Sequence, residues 1–443
     1  MGWAEAEFEA LDLCDARRNR RVIHLVERLA ERPTASLPGA CQGWGDTQGA
    51  GLLLGNDAVA PLALVEPHRA STIQRMTAHP VLLCLQDTTE LNFNGRAIAG
   101  LGPLSDEAQR GMSLHPTLAV SPARELLGIL DAWMWASAFK DADGIRPGIL
   151  ESTRWVEGNE RVAELAARLP DTRLVYVGDR EADMRELMVI ARDLGHPADY
   201  LVRARHNRVL PKGQRLWSSV QASEPLGEVT FTLPAGRGRK ARTVRQVLYA
   251  QSVRFPDGRR GGGKVSATCL IAQEIDAPPG VKPIVWRLLT SRSVSSLEDA
   301  AERIDWSRAR WDIEGLFFTL KEGCRVEALQ LGRIERIVRA LMLHLVIAWR
   351  IMQLMRLGRT LPDLDAELLL NAYEIKAADI LTKTLLPTGA ARLNEVIRLM
   401  ARMGGLLGRK GDGEPGVKTL WLGLQRVMDV VVGLKYAHAL QDP

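Results

Sequence analysis

Several of the usual chemical signatures are missing from this chain. Its five cysteines (Cys14, Cys41, Cys84, Cys269, Cys324) are odd in number and scattered, with no CxxC pair. That argues against a disulfide framework or a thiolate zinc site and for a reducing compartment. There is no GxxxxGK[ST], HExxH or GxSxG, which removes the P-loop, zincin and nucleophile-elbow readings. His24, His68 and His115 have no partners at ligand spacing, and Asp141 and Asp143 in KDADG do not follow EF-hand spacing and read as a solvated loop. The opening stretch, MGWAEAEFEALDL, lacks the basic-then-apolar order of a signal peptide. The most apolar stretch, LMLHLVIAWRIMQLM from Leu341, is interrupted by His344, Arg350 and Gln353 and reads as a buried core helix. No membrane partner is therefore expected, and the expected location is the cytoplasm. No repeat period of 20–50 residues stands out.

What is present is a 443-residue chain, 46% hydrophobic, long enough for two or three domains with ample core. A net charge of +5, with a pI near 9.0, permits a polyanionic partner without demanding one. Residues 1–60 read as helical. DARRNRRVIHLVERLAER, from Asp15, carries an apolar stripe (Val22, Leu25, Val26, Leu29) opposite a strongly basic face. That face suits either a solvated surface or phosphate contacts. From about residue 70 the pattern becomes α/β. Strands are expected at Val81–Asp87, Leu114–Ser121, Leu126–Trp135, Leu174–Asp179 and Asp199–Ala204, and a helix at Glu181–Leu194. Between 205 and 290 short alternating runs lie between the Gly/Arg-rich turns AGRGRKAR and DGRRGGGK, which suggests a β-rich insertion with basic tips. Ser296 with Asp299 is an N-cap signal. Residues from 325 onward read as mostly helical.

Two apolar, strand-length runs end in aspartate: LLCLQD at Asp87 and LVYVGD at Asp179. A third carboxylate, Glu314, lies in WSRARWDIEGLFFTLK, which reads as one amphipathic helix from Trp306 to Lys321. Three-, four- and seven-residue spacing puts Ser307, Arg310, Glu314 and Lys321 on one helix face. Taken singly, a strand-end aspartate also serves as a cap, and a charged helix stripe also serves as a solvated ion-pair face. Glu181 and Asp183 compete with Asp179. Together, three such carboxylates make a hard-oxygen site for divalent metal.

Four stretches then carry a resemblance: LQDTTELNF around Asp87, VGDREADM at Asp179, PIVWRLLTS with Trp286, and the Tyr-x2-Arg-x3-Glu-x6-Lys spacing matched by Arg310, Glu314 and Lys321. The chain resembles bacterial DDE transposases of the IS-four family, the group of the Tn-five transposase, over essentially its whole length. The resemblance implies an α/β fold: an RNase H-like core (a mixed sheet with flanking helices) interrupted by a β-rich insertion, with helical N- and C-terminal domains. The implied divisions are a DNA-binding domain at 1–69, a catalytic core at 70–325 containing an insertion at 206–290, and a helical, dimerising region at 326–443.

The implied activity is cut-and-paste transposition, with metal-dependent nicking at transposon ends, a hairpin intermediate and strand transfer. Asp87, Asp179 and Glu314 would hold two Mg²⁺ ions, with Mn²⁺ as a substitute. Arg310 and Lys321 would grip phosphates and Trp286 and Trp311 would stack a flipped base, with Ser307, Arg203 and Arg205 as further DNA contacts. Arg17, Arg18, Arg20 and Arg21 would bind the transposon end. The implied partners are double-stranded DNA at terminal inverted repeats, target DNA, and a second copy of the chain in the DNA complex. The sequence departs from the family at Ser307, where the motif has tyrosine, and at GAGLLLGN, where the family often has an aromatic-Arg-Phe run. Two alternatives remain at this point: a non-transposing DNA-binding descendant, acting as repressor or inhibitor, and an RNase H-like nuclease with another role.

Overall fold

The computed structural model describes residues 2–440 apart from 42, 145, 148–151, 234–239, 260–262, 385–390 and 410. Most of the AGRGRKAR turn, the middle of DGRRGGGK, and Pro387 therefore lie outside the described residues.

The strands are β1 (Val81–Gln86), β2 (Thr89–Asn92), β3 (Gly102–Pro103), β4 (Arg110–Val120), β5 (Leu126–Trp135), β6 (Arg173–Gly178), β7 (Asp199–Arg203), β8 (Gly227–Leu233), β9 (Arg242–Pro256), β10 (Lys264–Ile275) and β11 (Val285–Thr290). They form one mixed, 11-stranded sheet. β4 lies antiparallel between β1 and β5, while β6 runs parallel to β1 on its other side and β7 parallel to β6. The helices Thr153–Ala166 and Arg185–Asp193 supply the crossovers that parallel strands need. An antiparallel trio followed by two parallel strands is the RNase H-like arrangement.

The period of two in each strand divides the core cleanly. Leu83, Leu85, Val175 and Val177 share one apolar cluster with Trp306, Ile313, Leu316 and the helix Ile334–Thr360. Leu82, Cys84, Leu174 and Tyr176 point the other way, toward Trp155, Val162 and Leu187. Burial on both faces is why these strands read as unbroken apolar runs.

The expected insertion is β-rich; its two middle strands, β9 and β10, run longer than the alternating runs at 243–252 and 265–273 suggest, and its strands extend the core sheet. β11 returns antiparallel to β7, pairing Leu288 with Arg203, and β10, β9 and β8 follow outward.

The 27-residue helix Ile334–Thr360 is the one helix among the described residues long and apolar enough to cross a membrane. The protein buries 89% of its most apolar window. Its Trp349 donates to the Leu126 carbonyl (2.9 Å), and its buried Arg339 donates to the carbonyls of Val59 and Leu54, tying the N-terminal helices to the centre.

The helix Pro61–Met76 was not read from the sequence. Pro67 lies inside it, and its buried face includes His68 and Thr72, so neither composition nor period announces it. The stretch expected as one helix from Trp306 to Lys321 is three pieces: a helix ending at Ala309, a second at Trp311–Phe318 hinged at Arg310, and a π-turn at Thr319–Gly323.

Candidate active site

The sheet register sets the site. β1 and β6 pair Leu85 with Val177, so two residues further on Asp87 and Asp179 leave adjacent parallel strands side by side. They continue the face that carries Leu83, Leu85, Val175 and Val177, and on this face Ile313 and Leu316 pack the helix bearing Glu314. Ser296 starts the preceding helix with a capping box closed by Asp299, which fixes where the segment begins.

Arg310, at the hinge, is buried and bridges the carboxylates. Its guanidinium pairs with Asp87 and, at 2.7 Å, with Glu314. Its Nε is buried without a hydrogen-bond partner. Burial pushes the Asp87 carboxyl up to about 6. Arg310 pulls it down, Asp179 raises it, the Thr88 N–H lowers it and Glu314 raises it. The Arg203 guanidinium is held below its ordinary value by burial and by Arg180 and Arg310. A cation bound here would favour the charged form of Asp87, which burial disfavours.

Among the described residues no three carboxylate, imidazole or thiolate groups lie close enough to hold an ion as they stand. The donor set nevertheless fits a hard divalent cation. It is all carboxylate, Arg310 pairs with two of its members, and the third, Asp179, acts on Asp87 through its charge. Asp87, Asp179 and Glu314 are the residues that could hold such an ion.

Beside the carboxylates is a cleft of about 40 Å³ lined by Arg203, Trp286, Leu288, Ile304, Ser307, Arg308, Arg310 and Trp311. Five residues singled out in the sequence thus share one wall. Trp286, on β11, stacks on Phe231 of β8 with centroids 5.6 Å apart and an interplanar angle of 17°. Trp311 is 53% exposed. Phe231, and Arg308 with its guanidinium over the Phe231 ring, were not singled out in the sequence. The pairing of β8 to β9 brings Phe231 here, and the helix Leu297–Ala309 carries Arg308.

Other candidates lie apart. Lys321 falls in the π-turn, and its described partner is Glu327, at 4.0 Å. The side chain of Arg205 is exposed; its backbone N–H donates to Asp183 at 2.7 Å. Arg17, Arg20 and Arg21 line an open groove with His24 and Asp46, whereas Arg18 turns to Asp15 at 3.6 Å.

The competing acid Asp183 has a structural role. It is 2% exposed, accepts from the backbone of Arg205 and His206, and pairs with Arg208 at 2.6 Å. The three histidines without ligand spacing have hydrogen-bond partners instead: Asp46 for His24, Glu7 for His68, and Thr88 for His115. In KDADG, Asp141 accepts from the Asp143 backbone in an exposed turn.

The fold and this site together define an RNase H-like protein with a carboxylate cluster at the ends of its central parallel strands. Comparison with known proteins adds the particulars. Residues 1–59 match the family model described as Transposase DNA-binding, and residues 346–442 match the Transposase Tn5 dimerisation domain. The chain thus carries two stretches, 1–59 and 346–442, similar to the DNA-binding and dimerisation domains of transposases. Among solved structures, the chain is similar to the piggyBac transposase in its cryo-EM synaptic complex with hairpin DNA, at 11% identity and a TM-score of 0.38, covering 81% of this chain and 72% of that one.

Proposed function

We propose that the protein is a DDE-type cut-and-paste transposase of the IS-four kind, in which Asp87, Asp179 and Glu314 are the catalytic carboxylates. The observation that carries this is that Arg310 joins Asp87 to Glu314, while Asp179 ends the neighbouring parallel strand and, with burial, raises Asp87 to about 6. Mg²⁺ bound to these carboxylates, as a pair of ions, or Mn²⁺ in its place, would supply the charge that activates the attacking oxygen and stabilises the leaving one in an in-line displacement at phosphorus.

The chain's own residues do the rest. Arg310 offers a planar, multi-donor group for a phosphate oxygen, and its carboxylate partners are released when it turns to that phosphate. Arg203 and Lys321 add positive charge along the strand. Trp286, braced by Phe231, and the exposed Trp311 present aromatic faces for an extruded base. Ser307 supplies a hydroxyl at the place of the motif's tyrosine. Arg17, Arg18, Arg20, Arg21 and Arg205 contact backbone phosphates.

In the reaction, water attacks the phosphorus at the element's boundary and the 3′ oxygen departs with a proton. That 3′-hydroxyl then attacks the opposite strand to form a hairpin, a second water opens it, and the freed 3′ end joins target DNA. Residues 1–69 hold the inverted repeat. Residues 70–325, with the 206–290 insertion, form the catalytic core, and residues 326–443 pair two copies on DNA.

The test is strand nicking. Purified protein is incubated with Mg²⁺ and DNA carrying its own element's end, beside Glu314→Ala. Cleavage at the boundary by the wild type alone is expected. Binding without cleavage by both proteins, in Mn²⁺ as well, would leave only a DNA-binding descendant.

A further inference from the structure

Directly behind Asp87 lies a buried polar chain that the proposed reaction does not use. Gln86 ends β1, and its side chain packs so closely on the helix Thr153–Ala166 that a Cβ at Gly158 would collide with the amide. Gln86 Nε2 donates to Thr117 Oγ1 at 2.6 Å. Gln86 Oε1 lies 3.1 Å from His115 Nε2, and His115 Nδ1 lies 2.8 Å from Thr88 Oγ1. The Thr88 backbone N–H in turn donates to Asp87 Oδ1 at 2.9 Å. Gln86 and His115 are both fully buried, and Trp155 and Trp133 meet the imidazole edge-on at 4.8 and 5.7 Å.

The donor inventory gives this chain a direction. The Gln86 NH₂ group is spent on Thr117, so its oxygen can only accept. His115 Nε2 must therefore carry the proton and Nδ1 must be bare. A bare Nδ1 can only accept, so the Thr88 hydroxyl donates to it. Burial, with Arg154 adding to it, keeps the ring neutral by pushing the imidazole down to about 3. The ring is thus an uncharged spacer of fixed tautomer, and it pins both the hydroxyl and the backbone of the residue whose N–H holds Asp87.

We propose that His115, acting through Thr88, is a positioning residue for Asp87. The relay Gln86–His115–Thr88 fixes the end of β1, so that the Asp87 carboxylate keeps its orientation when Arg310 leaves it. This proposal rests on the reading of Asp87 as an active-site carboxylate. The relay contributes no charge and exchanges no proton. It lowers the freedom of a first carboxylate that must face two others.

Three readouts on the full-length protein test it. With histidine-selective ¹⁵N labelling, His115 is expected as the Nε2–H tautomer, and Thr88→Val is expected to shift its Nδ1 resonance. Mn²⁺ binding, followed by electron paramagnetic resonance without DNA, is expected to weaken about tenfold in Thr88→Val, the order of one lost hydrogen bond with a buried acceptor left unpaired. Thr88→Ser is expected to restore it to within about twofold, since it returns the hydroxyl. A role confined to packing would lower the unfolding temperature of Thr88→Val and leave Mn²⁺ affinity untouched.

An Nδ1–H tautomer, or unchanged Mn²⁺ affinity in Thr88→Val where the wild type binds Mn²⁺ in a Glu314-dependent way, would overturn this proposal alone. Wild-type protein with no Glu314-dependent Mn²⁺ binding would overturn the active-site reading and this proposal with it.

Discussion

Asp87 and Asp183 are two withdrawn aspartates, each paired with a buried arginine, and they differ in what surrounds the pair. Asp183 accepts two backbone N–H groups and pairs with Arg208. Asp87 accepts one backbone N–H, shares Arg310 with Glu314, and faces Asp179. The first arrangement ties the turn after β6 to the loop after β7. In the second, one arginine is shared by two carboxylates, a third acid raises Asp87 further, and the pair borders a cleft. A buried carboxyl raised in this way beside a cleft is a functional-site candidate. Glu7 belongs with Asp183. Burial raises its pKa, but hydrogen bonds from His68 and Arg75 outweigh that and hold it at about 2.

The contrast can be broken or sharpened by substitution. The largest effect is expected at the site itself. Asp179→Ala or Glu314→Ala should reduce nicking by about 10³-fold or more while end binding in a gel-shift assay and the unfolding temperature stay near wild type. Asp183→Ala should do the reverse. It strands Arg208 in the interior and should cost about 3–5 kcal/mol in urea unfolding. If Asp183→Ala folds normally and fails only in catalysis, the contrast is wrong.

Trp286→Ala should slow hairpin formation about 10–100-fold, from roughly 1–3 kcal/mol of lost stacking, with first-strand nicking much less affected. A uniform loss in both steps would instead mean that Trp286 only braces the sheet.

The smallest effects are in pH dependence, and they carry opposite signs. Glu7 has a folded pKa below its unfolded value. Its stabilisation is present above about pH 4.5 and is lost as pH falls through about 2, so Glu7→Gln should be less stable than wild type at neutral pH by about 1–3 kcal/mol, a gap that closes on acidification. Asp87 has a folded pKa raised from 3.8 to about 6. Its charge penalises the fold above about pH 6 and not below about pH 4, so metal-free Asp87→Asn should gain about 1–2 kcal/mol on wild type between those limits as pH rises. Denaturant midpoints of each variant against wild type at both ends of the range check the signs.

Much of this was legible in the sequence wherever one physical cause dominates. β1, β5, β6 and β7 were placed within a residue because burial on both faces leaves unbroken apolar runs, and Asp87 and Asp179 were found as the polar stops that end them. Motif spacing also picked out Glu314 and Arg310. What stayed hidden depends on partners distant in the chain. Nothing local marks Phe231 as the brace of Trp286, because β9 and β10 lie between their strands in the sheet. Asp183 and Asp179 are four residues apart in the same turn, and only Arg208 and two amides from the following loop distinguish them. Lys321 kept its motif spacing while the π-turn changed its surroundings, since a spacing rule assumes 3.6 residues per turn throughout. His115 was set aside for want of ligand spacing, although its partners lie across the strand pair β1–β4.

We propose that Arg310 holds a place that cations take once DNA arrives. The most direct test is anomalous diffraction from crystals of the protein bound to its own element's end in Mn²⁺. The account expects manganese peaks within coordination distance of Asp87, Asp179 and Glu314, with the Arg310 guanidinium moved onto a phosphate. Bound DNA with Arg310 still paired to Asp87 and Glu314, and no manganese at the three carboxylates, would contradict it.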